Sequence, residues 1–130
     1  MKQAIIGIFF ALMALSWGAS AQAGIQGKSL RVTATAYNSV RAQTNDNPSI
    51  AAWGDRLKPG MKAIAVSRDL LKMGITHGTR VKISGLPGEY VVLDKMNKRW
   101  SRKIDIYMGT DVRAAKKWGR RKVTITVIKA

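Results

Sequence analysis

The sequence predicts a mainly β domain, with six strands closed into a small barrel and two short helices. Short stretches alternate apolar and polar residues with period two, the signature of strands with one buried face. Glycine-containing turns separate these stretches, and only two segments carry helix start and stop signals. Many short strands favour closure, because a closed barrel leaves no unpaired edge.

The first residues, M-K-Q-A-I-I-G-I-F-F-A-L-M-A-L-S-W-G-A-S-A-Q-A, hold one lysine, an apolar run and a small-residue end at Ala21-Gln22-Ala23. That pattern predicts a signal peptide over 1–23, cleaved before Gly24, and so a periplasmic or secreted protein. The alternative is a bilayer-spanning anchor, for which the run from Ala4 to Trp17 is short. No cysteine follows the run to carry a lipid, so no stable membrane anchor is expected after cleavage. Removing 23 of 130 residues leaves 107, which suits one compact domain. The chain has no cysteine, which excludes disulfide staples, thiol redox chemistry and thiolate metal sites. Cleavage takes one of 23 basic residues and none of the seven acidic ones, leaving 22 against 7, or +15. Such a charge bears on partners rather than on fold. For an exported protein it fits acidic wall polymers or anionic surfaces; no nucleic-acid partner is expected.

Gly24 to Leu30 is polar and glycine-containing and predicts a flexible leader, with the barrel domain over 31–130. In Arg31 to Tyr37, Val32, Ala34 and Ala36 face inward and Arg31, Thr33, Thr35 and Tyr37 outward. Asn38 to Ile50 is a surface loop by composition, and Ala51 to Met61 continues it as an ordered turn carrying Trp53 and Asp55. Ala63 to Val66 is a short apolar strand. A helix of about two turns follows, with Ser67 as cap, Asp69 in its first turn and Gly74 at its end. Thr79 to Ser84 alternates with Val81 and Ile83 inward, and Gly85 to Gly88 turns into a strand from Glu89 to Leu93. Lys103 to Tyr107 is the fifth strand. Thr110 caps a second helix whose Val112, Ala115 and Trp118 share a face, with Trp118 expected in the core and Gly119 as the stop. In the last strand, Arg120 to Ile128, Val123, Ile125 and Val127 point inward.

Asp94 follows the apolar run Tyr90 to Leu93, and Asp105 sits between Ile104 and Ile106 on the opposite face. Two nearby carboxylates cannot both ionise freely, which raises the pKa of one toward the range of a general acid. The competing account pairs each with Lys95, Arg99, Arg102 or Lys103, which would hold them ionised; only burial or close pairing reverses that.

Residues Val32 to Ile128 resemble the three-aspartate domain, a double-psi β-barrel found in membrane-bound lytic murein transglycosylase A and in cell-wall remodelling proteins. The matching residues are V-T-A-T-A-Y, Gly54, Gly60 and Ala65-Val66, then G-T-R-V-K-I, V-L-D, I-D-I-Y and W-G-R-R-K-V-T-I. The resemblance implies a double-psi barrel with Asp105 as catalytic acid and base and Asp94 as its partner. A more distant similarity to expansins and rare lipoprotein A implies that Thr35 hydrogen-bonds Asp105. The family's first aspartate, expected directly after A-V, is Ser67 here, and its D-x-G-G run is D-K-M-N. Asp69 is given no catalytic role.

The activity so implied is that of a peptidoglycan lytic transglycosylase, cleaving the β-1,4 bond between N-acetylmuramic acid and N-acetylglucosamine with one aspartate. The alternative is a non-catalytic, expansin-like wall-binding or wall-loosening module. Glycan strands of peptidoglycan are the partner in either case. Tyr37, Trp53, Asp55, Trp100, Arg102 and Lys103 are the candidate substrate-binding residues. Each tryptophan is a sugar platform or a plug of the barrel rim, and the arginine and lysine line an anionic groove or belong to a solvated basic surface. His77, with no partner in sequence, reads as a turn residue, and neither metal nor cofactor is expected.

Overall fold

A computed structural model describes residues 24–40 and 49–130. The predicted signal peptide and part of the loop after the first strand lie outside the described residues. The strands are β1 (Ser29–Tyr37), β2 (Ala63–Val66), β3 (Arg80–Ile83), β4 (Tyr90–Lys95), β5 (Lys103–Tyr107) and β6 (Arg121–Lys129); helix α1 is Arg68–Lys72 and α2 is Val112–Trp118. The strands close in the order β1-β5-β2-β4-β3-β6. Two neighbouring pairs, β1 with β5 and β2 with β4, run parallel, and the other four are antiparallel. This order, with its two parallel pairs, fits a double-psi barrel.

The inward residues are those the alternation selects. Val32 and Ala34, Ile64 and Val66, Val81 and Ile83, Ile104 and Ile106, and Val123, Ile125 and Val127 are buried in one core, with Val92, Tyr90 and Leu70. Each aliphatic side chain so buried contributes about 1.5–3 kcal/mol. A one-residue slip in any strand would turn that set outward, so the core fixes the register. A smaller apolar cluster forms on the opposite face of the sheet from Ala51, Leu57, Ala63 and Tyr107, with Tyr37, Val91 and Leu93 against it. It packs the segment before β2 onto the barrel wall.

Several local expectations change. The leader joins the sheet earlier than its composition suggests: β1 begins at Ser29, the N–H of Gly27 donates to Val127, and Ile25 packs against the core. Ser67 occupies the N-cap position of α1, but its hydroxyl makes no cap bond; it accepts the N–H of Lys103 at 3.0 Å and ties the helix start to β5. The cap of α2 is Asp111, not Thr110: its carboxylate accepts the N–H of Ala114 at 2.9 Å. Trp118 is half-buried rather than in the core, and its ring nitrogen donates to the carbonyl of Ala34, which fastens α2 to β1.

Asp111→Ala is expected to lower stability by about 1 kcal/mol, with Thr110→Ala within about 0.5 kcal/mol of wild type. Urea denaturation of the two variants checks the assignment; equal losses would contradict it.

Candidate functional site

Four neighbouring strands bring Thr35, Asp105, Ala65 and Asp94 into one row. Thr35 stands opposite Asp105 across β1 and β5, Asp105 opposite Ala65 across β5 and β2, and Ala65 opposite Asp94 across β2 and β4. Asp105 faces outward because Ile104 and Ile106 on either side are in the core. Asp94 needs a further device. By strict alternation it would share the inward face of Tyr90 and Val92, but the pairing of β2 with β4 shifts between Ile64 and Ala65, so Leu93 is an extra residue. Such a bulge re-aims the side chains that follow it, and it delivers Asp94 to the face of Asp105. Ala65 stands between the two aspartates in the strand register.

The row opens into a cleft of about 180 Å³ walled by Tyr37, Ala65, Asp94, Lys95 and Asp105 from the strands and by Met96, Asn97 and Trp100 from the segment joining β4 to β5. That segment is fixed at its far end. Arg102 holds φ at +46°, the single positive value among non-glycine residues described, at a cost of order 1 kcal/mol. Its N–H donates to Asp69 Oδ2 at 2.9 Å and its carbonyl accepts from Thr33 at 3.0 Å. Asp69 therefore shapes the entry to β5 and stands outside the cleft lining.

Asp105 Oδ1 accepts a hydrogen bond from the Thr35 hydroxyl at 3.0 Å. Burial raises the pKa of Asp105, and the charge of Asp94 adds to the rise; the Thr35 bond and the ammonium of Lys103 oppose it without cancelling it. Asp94 is raised as well, first by burial and also by Asp55, against the N–H groups of Ala52 and Lys95, each 2.9 Å from its Oδ1. Neither aspartate pairs with the nearby lysines and arginines: among the described residues the one contact at salt-bridge distance joins Asp55 to the His77 ring, and it is an ion pair only when that ring is protonated. Lys103 explains part of this. It is buried, its pKa is lowered by that burial, and its Nζ lies 3.6 Å from the Trp100 ring centroid. Arg99 also sits on that ring, at 4.8 Å.

Tyr37, beside the cleft carboxylates, has its hydroxyl buried with no hydrogen-bond partner among the described residues. Burial first, then Asp94 and Asp105, push its pKa far above the ordinary phenol range, so it stays protonated. Tyr37, Asp94 and Asp105 thus meet in one cleft as three groups whose burial disfavours their charged forms. The cleft thus holds two carboxyl groups that bind a proton more firmly than a free aspartate does.

Of the candidates named from sequence, Tyr37, Asp94, Asp105 and Trp100 meet at the cleft, Thr35 is bonded to Asp105, and Lys103 lies against Trp100. Trp53 and Asp55 stand on the neighbouring turn, and Arg102 contributes through its backbone. Alternation did not single out Ala65, Lys95, Met96 or Asn97, although the small outward pair Ala63 and Ala65 was a usable signal. His77 is more than a turn residue, since it bonds Asp55 at 2.6 Å.

No protein-family model and no curated protein sequence matches the chain. The structure is similar to the crystal structure of the apo expansin of Clavibacter michiganensis, with a TM-score of 0.54 and 17% sequence identity. The fold is expansin-like. The match covers 78% of this chain and 51% of that one, so the similarity spans about half of the expansin's length.

Because the folded-state pKa of Asp105 lies above its unfolded value, near 3.9, the stability this group adds is present below that value. It is lost as the pH rises through the folded pKa. Asp105→Asn is therefore expected to raise Tm relative to wild type at pH 7 and to lose that advantage at pH 3. Thermal denaturation at both values checks this; a difference that does not change with pH would contradict it.

Proposed function

We propose that the protein acts on cell-wall polysaccharide outside the cytoplasm, as a peptidoglycan lytic transglycosylase in which Asp105 is the single acid and base. The observation that carries this is Asp105 itself: a desolvated carboxyl with a raised pKa, hydrogen-bonded by Thr35, on the wall of an open cleft. Neutral Asp105 protonates the glycosidic oxygen as the bond to the muramyl anomeric carbon breaks. The muramyl 6-hydroxyl then attacks that carbon, and ionised Asp105 takes its proton, which returns the enzyme to its starting state. Because the nucleophile belongs to the substrate, no second carboxylate has to activate water. Thr35 orients Asp105, and Asp94 keeps its proton affinity high. An exported location agrees with the apolar N-terminal stretch and the expansin-like fold, and no helix among the described residues is long and apolar enough to cross a membrane.

A second reading, a wall-binding or wall-loosening module without catalysis, is favoured by the likeness to an expansin and by the charge of +16 on the whole chain. Sacculi separate the two. Under the enzymatic reading, wild type releases 1,6-anhydromuropeptides and Asp105→Asn lowers the rate at least about 100-fold, while Thr35→Val and Tyr37→Phe reduce it by less. Under the second, none of these proteins releases product where a control enzyme does. Instead, wild type and Asp105→Asn pellet equally with sacculi, and salt above about 0.1 M weakens both.

A further inference from the structure

One group of side chains remains outside this mechanism. Trp53 stays 38% exposed, one of three large hydrophobic residues so placed among those described. Its turn is nonetheless built with care: Ile50 pairs with Arg56, the N–H of Ala51 donates to Asp55, the N–H of Gly54 donates to Ala51, and Ala51 and Leu57 are buried. His77, from the turn before β3, packs its ring 5.1 Å from that of Trp53 at 57° and bonds Asp55 through Nε2 at 2.6 Å. The indole is thus fixed without being covered.

The cluster is tied to the cleft at two points. The N–H of Ala52, next to Trp53, donates to Asp94, and Lys95, which lines the cleft, brings its Nζ to 5.7 Å from the Trp53 centroid. β4 lies between β2 and β3 in the barrel, so the Trp53 and His77 turns lie on the far side of Asp94 from Asp105.

We propose that Trp53, His77 and Asp55 form a second sugar subsite, continuous with the cleft along Lys95, which takes a pyranose ring of the glycan beyond the one held at Asp105. This rests on the wall-glycan reading and adds where a longer strand runs. A pyranose has an apolar C–H face to lie on the indole and hydroxyls at its rim. Asp55 Oδ1 and the imidazole edge offer hydrogen-bond partners for those hydroxyls. The exposed surfaces of Trp53 and Ile50 on this turn make too small a patch for a stable protein interface, which buries over about 1,000 Å². Fixing the platform before binding lowers the entropy lost on association.

Calorimetric titration of the full chain with the neutral β-1,4-linked N-acetylglucosamine dimer and hexamer tests this, alongside sacculus pelleting. Wild type binds the hexamer more tightly than the dimer. Trp53→Ala and His77→Ala weaken the hexamer about tenfold and leave the dimer unchanged, while Trp53→Phe, which keeps a ring, retains most of the affinity. If Trp53→Ala binds the hexamer as wild type does, or if wild type ignores the hexamer yet pellets with sacculi, the subsite is wrong and the wall reading stands. If wild type neither binds the hexamer nor pellets, both fall.

Discussion

Parallel pairing of β1 with β5 is the constraint on which the site depends. It places Thr35 opposite Asp105, and the antiparallel pairing of β5 with β2 continues the row to Ala65. Neither pairing is held mainly by the site residues. Ile104 and Ile106 on β5, Val32 and Ala34 on β1, and Ile64 and Val66 on β2 are fully or almost fully buried. Moving Asp105 by one position would expose those aliphatic groups and place a carboxyl in the apolar interior, each a cost of kcal/mol. The core thus decides where the acid stands, and the bulge in β4 brings the second carboxylate to it.

Two opposing influences set the protonation of Asp105. A +16 chain surrounds it with cations that favour the ionised form, while its recessed position disfavours any charge. Burial is the larger effect, and no lysine or arginine among the described residues closes a salt bridge with Asp105 to offset it. Lys103 is drawn over Trp100, where an aromatic face replaces the carboxylate that a lysine would ordinarily seek. The arrangement sacrifices some stability at neutral pH, as sites with desolvated acids commonly do. Tyr37 repeats the pattern with a neutral group, since a buried hydroxyl left without an acceptor is costly.

Much of the barrel was legible in the sequence because alternation is a property of single strands: Arg31 to Tyr37, Lys103 to Tyr107 and the run through Val123, Ile125 and Val127 each declare their inward face. What was not legible depends on residues distant in sequence. The run Val91-Val92-Leu93 is apolar throughout, so nothing in it marks Leu93 as the extra residue that turns Asp94 outward. His77 finds its partner Asp55 22 residues earlier, across the barrel end. The positive φ of Arg102 falls at a residue with no intrinsic preference for it, imposed by Asp69 33 residues away. The expected salt bridges failed for a similar reason: proximity in sequence of Lys95, Arg99, Arg102 and Lys103 to the aspartates did not become direct ion pairs among the described residues. Thr35 with Asp105, in contrast, followed from the resemblance to wall-active barrels and is a direct contact in the structure.

Two desolvated carboxyl groups, set two strands apart, hold a proton on Asp105 more firmly than a free aspartate would. Titration of the Asp105 carboxyl carbon by NMR, in wild type and in Asp94→Asn, measures this directly. The wild-type midpoint is expected clearly above the ordinary value of about 3.9, and lower once Asp94 is neutral. A wild-type midpoint at or below the ordinary value, unmoved by Asp94→Asn, would contradict it.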